Sequence, residues 1–310
     1  MNLSRRITLR QLEVFREAAR QLNFARVAKT LHLTQPAVSM QIRQIEASIG
    51  LALFEKIGRR KLLTEAGVRL LDHASRVLAE LEDAEQSLLA LKGLSGGSIT
   101  VGIVSTANNF APRLLAAFSA RHPGVEVRFV VGNREGLVQQ LKENRIDLAI
   151  MGRPPRELET ESEALAGNPH VLVAPPDHPL RGAAQIDVQA LRGETFLERE
   201  AGSGTRSMME ETFRAHRFTP AHVLMLGSNE TIKQAVMAGI GLSILSLHTL
   251  ALELRTGEIA ALDVVGAPWM RTWHIVNLGR RRLSPAATAF RSFLIAETQP
   301  YLRAAYADLP

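Results

Sequence analysis

The chain contains no cysteine among its 310 residues. Disulfides and thiolate metal sites are therefore excluded, and the absence fits a reducing compartment. No stretch reaches the roughly 18 to 20 consecutive apolar residues that cross a bilayer. The first residues, "MNLSRRITLRQLEVF", are charged and lack an apolar segment followed by a small-residue cleavage site, so no signal peptide is expected and the cytoplasm is the expected location. Motifs of catalysis are missing as well. There is no phosphate-loop lysine motif, "GIGLSI" lacks the third glycine of a dinucleotide fingerprint, and "AGSGT" lacks the spacing of a nucleophile elbow. The nine histidines show no metal-ligand spacing with neighbouring carboxylates; His32, His73 and His122 fall at helix turns or ends. No catalytic residue, metal or cofactor is expected.

What remains is an ordinary globular composition, 46% hydrophobic and 22% charged, long enough for two or three domains. The charge is unevenly placed. Residues 1–65 hold 12 Lys and Arg against 5 Asp and Glu, a balance of +7, whereas the rest holds 25 against 26, a balance of −1. A small basic module on a nearly neutral body points to a polyanionic partner for that module.

The module's pattern names the partner more closely. Thr8 starts an amphipathic helix with Leu9, Leu12, Phe15 and Ala19 on one side. Asn23 caps a second helix, "FARVAKTL", and "HLT" makes a tight turn. Thr34 caps a third helix with Pro36 in its first turn, and Gly50 ends it. A basic two-stranded ribbon follows, with Gly58, Arg59, Arg60 and Lys61 near its tip. This is the plan of a winged helix-turn-helix. Val38, Ile42, Ile45 and Ile49 of the third helix pack inward, which leaves a polar stripe for the major groove of duplex DNA. The expected DNA contacts are Thr34, Gln35, Pro36, Ser39, Gln41 and Arg43 from this helix, with Arg26, Lys29, Arg59 and Arg60 on phosphates.

From Thr64 a long helix carries Leu70, Ala74, Val77, Leu81, Ala84, Leu88 and Leu91 at alternating spacings of four and three, a heptad-like seam that predicts pairing with a second copy. Asp72, Arg76, Glu80, Asp83 and Glu85 occupy its other face. "GLSGGS" at 93–98 breaks the chain. Beyond it, strands and helices alternate, as in an α/β fold with helices on both faces of its sheets. The division expected is a DNA-binding domain at 1–65, a linker or dimerisation helix at 66–94 and a two-lobed α/β domain at 95–310. Lobe I takes about 95–165 and 268–310, and lobe II about 166–267.

In such a domain a ligand belongs at the C-terminal ends of the strands, between the lobes. Ser105, Thr106 and Ala107 follow the first strand, Gly202, Ser203, Gly204 and Thr205 open a helix, and Ser228 and Asn229 precede another. Helix N-termini attract phosphate or carboxylate, and Arg153 after "DLAIMG" adds a positive charge. Together these residues suggest a small anionic ligand, although each hydroxyl or amide taken singly is equally an ordinary helix cap.

The segment "LRQLEVFREAAR…NFARVAKTLHLTQPAVSMQIRQIEASIGLALFEKIGRRKLLTEAG" closely resembles the DNA-binding end of LysR-type transcriptional regulators. The C-terminal part resembles their effector-binding domain, itself similar to periplasmic binding proteins. "VGIVSTANNFAPRLL", "VGNREGLV", "DLAIMGRPP", "GSGTR", "GSNETIKQAVMAGIGLSILSLHT" and "RRLSPAATAFRSFL" resemble the subgroup that regulates Calvin-cycle carbon-fixation operons. The resemblance implies a homotetramer of two dimers on an interrupted palindrome upstream of a promoter, where it meets RNA polymerase. It implies an effector, a sugar phosphate, another phosphorylated metabolite or NADPH, whose binding changes quaternary geometry and DNA bending. Several relatives carry a basic residue directly after the position of Ser39, where this chain has Met40, so the expected base contact moves to Arg43. A regulator of another metabolic operon, an enzyme with an accessory DNA-binding domain and a solute-binding protein are the competing readings. The last leaves the basic N-terminal module unexplained.

Overall fold

Reciprocal capping starts the chain's first helix. Thr8 Oγ1 accepts from the N–H of Gln11 while Gln11 Oε1 accepts from the N–H of Thr8, setting the start of α1 (Leu9–Gln21). Asn23 Oδ1 accepts from the N–H groups of Ala25 and Arg26 and opens α2 (Phe24–Thr30). Thr34 Oγ1 accepts from the N–H of Ala37 and opens α3 (Gln35–Ile49), which Gly50 closes in the left-handed region at φ 79°. The computed structural model describes residues 6–58, 60–91 and 96–309. Contacts divide the chain into two compact units, one reaching Leu88 and the other made of Leu89–Leu141 and Ile146–Pro310.

In the first unit, Val14, Phe15, Ala18, Val27, Val38, Ile42, Ile45 and Leu53 form a buried core. The wing is β1 (Phe54–Ile57) paired antiparallel with β2 (Arg60–Leu63), with Ile57 opposite Arg60. α4 (Glu65–Leu91) follows, and Thr64 Oγ1 caps it by accepting from the N–H of Gly67. Gly67 lies against the carbonyl oxygen of Leu53, closer than any side chain allows. The expected seam divides along this helix. Leu70 and Ala74 belong to the module's own core, while Val77, Leu81, Ala84 and Leu88 stay exposed. The side chains of Asp83 and Leu91 lie outside the described residues. The apolar residues at 70 and 74 are spent on covering α1 and α3, so only the later part of the stripe is open to a second copy.

The second unit begins with β3 (Gly97–Val104), a short 3-10 turn at Ser105–Asn109 and α5 (Ala111–Arg121). β4 (Val125–Gly132), α6 (Arg134–Lys142) and β5 (Leu148–Met151) complete the first half, with β3 parallel to both β4 and β5. β6 (Thr160–Ala174) leads into the second half, which holds β7 (Thr195–Arg199), α7 (Gly204–Ala215), β8 (His222–Leu226), α8 (Asn229–Met237) and β9 (Ser243–Ser246). α9 (Ala251–Thr256), β10 (Ala260–Leu262), the returning β11 (Trp269–Leu278) and α10 (Pro285–Ala305) finish the chain. The main sheet runs β10-β6-β11-β5-β3-β4, with β9 also on β6, and β7 pairs separately with β8.

The lobes are visible in their cores. Ile99, Val101, Ile103, Phe110, Phe118, Trp273 and Phe290 pack together in lobe I. Leu172, Phe196, Met209, Ile244 and Leu262 pack in lobe II, with Val173, Leu197, Ile232 and Leu245 on the other side of the same strands. β6 and β11 cross between them, and the whole of β11 pairs with residues 160–170 of β6. Sequence pattern places β6 at 169–176, yet it starts nine residues earlier, at Thr160. Residues 160–168 lack the apolar run of a buried strand because their outer face carries Glu161 and Glu163, which accept from Asn277 Nδ2 at 3.3 Å and Arg291 Nη2 at 2.7 Å. The ladder with β11 that makes them a strand joins residues more than a hundred positions apart. Among the described residues, no helix is long and apolar enough to cross a membrane and no group of His, Asp and Glu could hold a metal ion.

Candidate functional site

Two surfaces carry the predicted chemistry, one in each unit. In the first unit, Val38, Ile42 and Ile45 of α3 are buried, and the opposite side of the helix is open. Gln35, Pro36, Ser39, Met40, Arg43, Gln44 and Ala47 line a shallow groove there. Thr34, Gln35, Pro36 and Arg43 are exposed, as are Arg26 and Lys29 on α2 and Arg60 on the wing. Among the described residues, none of Arg26, Lys29, Arg43 and Arg60 makes an ion pair, so their charges stay available to an external anion. Gln11 Nε2 of α1 donates to Gln44 Oε1 at 3.0 Å and braces the middle of α3.

Two expectations change here. Gln41 does not share the groove: its Oε1 is buried without a partner. At about 100° per residue it stands roughly 140° round the helix from the middle of the open face. Lys61 does not project from the wing. Its Nζ sits 3.3 Å from the centre of the Phe24 ring, with the Phe54 ring edge-on to Phe24, and burial lowers its pKa. Arg59 lies outside the described residues.

In the second unit, a cavity of about 290 Å³ lies at the C-terminal ends of β3, β4 and β5, between the lobes. Ser105 and Thr106 bound it after β3, Asn133 and Arg134 after β4, and Arg153, Arg156 and Glu157 after β5. Lobe II supplies Arg199 at the end of β7 and Ser203, Gly204, Thr205, Ser207 and Met208 at the start of α7. The crossing strands supply Asn168, His170, Arg271 and Trp273.

Five arginines thus line one small cavity, and three carboxylates hold four of them. Arg199 is the most enclosed, its side chain 5% exposed. Its Nε and Nη2 donate to Glu200 at 2.7 and 2.9 Å, and its Nη1 donates to Ser105 Oγ at 3.2 Å. Burial raises the pKa of Glu200, but its bonds to Arg199 and the backbone outweigh that and hold it below the ordinary value. Arg134 donates to Glu157 and to the carbonyl oxygen of Arg153. Arg153 Nη1 and Arg271 Nη2 both donate to Glu211 of α7, at 2.8 and 2.5 Å. Burial lowers the pKa of Arg271, Glu211 opposes this, and Arg153 adds to the lowering. Burial also pushes His170 down to about 4, so its ring is a neutral wall near pH 7.

Of the residues expected around an anion, Ser105, Thr106, Arg153, Ser203, Gly204 and Thr205 line this cavity. Ser203 makes no side-chain bond to the α7 backbone, so its hydroxyl and the first N–H groups of α7 remain unused by capping. The others stand elsewhere. Ala107 is buried in the lobe I core because the 3-10 turn rotates it inward. Ser228 caps α8 through the N–H of Thr231 at 3.0 Å. Gly202 is not on the cavity wall; it adopts φ +80° beside Glu135 and shapes the turn before α7. Asn229 stands behind the wall, where its Nδ2 donates to Ser105 Oγ at 3.5 Å and its Oδ1 is buried without a partner. Arg134, Arg156, Arg199 and Arg271 were not anticipated. Arg134 and Arg199 follow parallel strands at their C-terminal ends, the position that already singled out Arg153, and the same rule finds them. Arg271 reaches the cavity only through the pairing of β11 with β6, and no local signal marks it.

Comparison with known proteins matches residues 9–68 to the family "Bacterial regulatory helix-turn-helix protein, lysR family" and residues 92–299 to "LysR substrate binding domain". The chain is 57% identical to the HTH-type transcriptional regulator CfxR of Cupriavidus necator, over 98% of this chain and 96% of that protein. It is 49% identical to the RuBisCO operon transcriptional regulator of Allochromatium vinosum, over 94% and 96%. Among solved structures, the regulatory domain of Synechocystis CcmR in complex with 2-PG superposes with a TM-score of 0.63. It is 39% identical and covers 65% of this chain and 97% of that one. Full-length CbnR in complex with its target DNA, at 23% identity and a TM-score of 0.64 over 93% of this chain and 99% of that one, shares the fold.

Proposed function

The chain belongs to the LysR family of DNA-binding transcriptional regulators, and on that premise we propose that it controls carbon-fixation genes in response to a small phosphorylated acid bound between its lobes. The observation that carries the ligand class is the cavity itself. Five arginines, five side-chain hydroxyls and an open helix N-terminus surround about 290 Å³. That chemistry selects phosphate or carboxylate. The volume suits a small metabolite better than an entire nicotinamide dinucleotide. The relative whose regulatory domain binds 2-PG, 2-phosphoglycolate, has a ligand of this size and charge. The gene target rests on the relatives named for the RuBisCO operon.

On the DNA, the open side of α3 enters the major groove, with Arg43, Gln35 and Ser39 toward base edges and Arg26, Lys29 and Arg60 on phosphates. The exposed residues Val77, Leu81, Ala84 and Leu88 pair with a second copy and set the separation of two half-sites. Closure of the cleft around the ligand then favours one arrangement of subunits, and with it a different DNA bend and contact with RNA polymerase. A ligand acts in this way only through unequal affinity for the two arrangements.

Footprinting of the promoter upstream of the neighbouring gene cluster, with and without 2-phosphoglycolate, sugar phosphates and NADPH, tests this proposal. A protected region that shortens or shifts with a phosphorylated acid is the expected result. Thr106→Val and Ser203→Ala should abolish the shift while operator affinity is kept. A shift that survives both substitutions places the ligand elsewhere.

A further inference from the structure

The charge pairing in the cleft is uneven. Arg199 and Arg134 each have a carboxylate to themselves, Glu200 and Glu157. Arg153 and Arg271 share Glu211, each through a single nitrogen. A guanidinium carries five N–H donors in a fork that matches two oxygens of one anion. Arg271 satisfies this poorly. Its Nε meets only the thioether sulfur of Met208, a weak acceptor, at 2.8 Å, and its side chain is largely enclosed. Two positive groups facing one negative group leave a net positive charge and unfilled donors at this end of the cavity. The cavity is also lined by Ser105 and Thr106 after β3 and by Ser203 and Thr205 at the α7 N-terminus, which offer hydroxyls and backbone N–H groups in place of guanidinium charge.

We propose that Glu211 is an internal counter-anion on the seat of the ligand's second anionic group, so that the cleft selects molecules with an anion at each end over those with one. This rests on the reading above that the cleft takes a small phosphorylated acid. One end group, a phosphate, sits on the hydroxyls and the helix N-terminus. The second, a carboxylate or another phosphate, takes the donors that Arg153 and Arg271 leave unfilled, in competition with Glu211. A single-headed anion on that second seat gains too little to overcome Glu211's repulsion. Glu211 lies on α7 of lobe II and Arg153 follows β5 of lobe I, so the competition also governs an ion pair that ties the lobes together.

The test is calorimetric titration of the full-length protein with 2-phosphoglycolate, which has two anionic groups, and with inorganic phosphate, which has one. Wild type should bind 2-phosphoglycolate more tightly than phosphate. Glu211→Gln removes the internal competitor and should tighten phosphate by about tenfold or more, the order expected for one unit charge at contact range in a partly solvated site. The preference for the two-headed ligand should narrow accordingly. Arg153→Gln should weaken 2-phosphoglycolate by about tenfold and leave phosphate unchanged. Unchanged affinities in both variants overturn the role given to Glu211 and leave the effector reading intact. If wild type ignores 2-phosphoglycolate but Glu211→Gln gains phosphate, the effector reading falls and the counter-anion stands. If no protein binds either probe, both fall.

Discussion

Arg199 Nη1 donates to Ser105 Oγ at 3.2 Å, joining the end of β7 in lobe II to the end of β3 in lobe I across 94 residues of sequence. The same guanidinium is clasped by its neighbour Glu200. A buried charge is thereby held at the junction of the lobes, where a bound anion would meet both the guanidinium and the hydroxyl.

Arg199→Ala is accordingly expected to do two things. It strands Glu200 and one side of the cavity, at a cost of roughly 2 kcal/mol, the size of a lost hydrogen-bonded charge. It should also abolish effector response, whereas Arg199→Lys keeps the charge and loses the bidentate geometry. Denaturant unfolding combined with effector titration checks both. Full response in the alanine variant would place the ligand away from this junction.

Arg43→Ala should weaken binding to the preferred operator by about 1 to 3 kcal/mol while binding to unrelated DNA changes little, if Arg43 reads a base edge. Gln41→Ala, off the open face, should leave that preference unchanged. Arg26→Ala and Lys29→Ala should weaken specific and non-specific binding together and flatten the dependence on salt. Fluorescence anisotropy on both DNAs at several salt concentrations distinguishes the three outcomes.

Gly67 is where α4 passes the carbonyl oxygen of Leu53. Gly67→Ala forces a methyl group against backbone, which cannot yield as a flexible side chain does. A loss of about 2 to 3 kcal/mol in the DNA-binding module is expected, with a lower melting temperature and weaker DNA binding. A variant as stable as wild type would mean that the start of α4 shifts freely.

Acid should unfold the second unit early. His248 Nδ1 accepts from Trp273 Nε1 at 3.1 Å, and burial pushes the pKa of His248 down to about 4. An unfolded histidine titrates near 6.5. Between these values the unfolded chain binds the extra proton, so stability rises with pH; the neutral ring's contribution is complete above about 6.5 and is lost as pH falls toward 4. A loss on the order of 2 to 3 kcal/mol is expected over that window. His248→Gln should remove only part of the slope, because His170, also pushed down to about 4 by burial, titrates over the same window. Tryptophan fluorescence during denaturant unfolding at several pH values measures the slope.

Much of this molecule was legible because its signals are local. Thr8, Asn23 and Thr34 bond N–H groups two or three residues ahead, so a reader of the chain sees both partners at once. Ser228 shows the limit of that legibility. Its residue type suits a cap and an anion seat equally, and only the position of α8 relative to the cavity decides. The place of Gln41 is legible in the chain as well, since counting round the helix turns it from the open face. Arg271 and the first nine residues of β6 were not legible. Their roles arise from a ladder between distant strands; "WHIVNLG" on the β11 side reads as a strand by itself, but residues 160–168 opposite it carry no apolar run of their own.

That ladder has one further consequence. Along it Ala166 faces Trp273 and Ala164 faces His274, which leaves Leu165 with no opposite number. Two strands bonded edge to edge resist folding like a plank, but an odd residue loosens their torsion locally. A rocking of one half of this domain against the other is thus expected to concentrate in a twist of the β6–β11 ribbon beside position 165, where the ladder is interrupted.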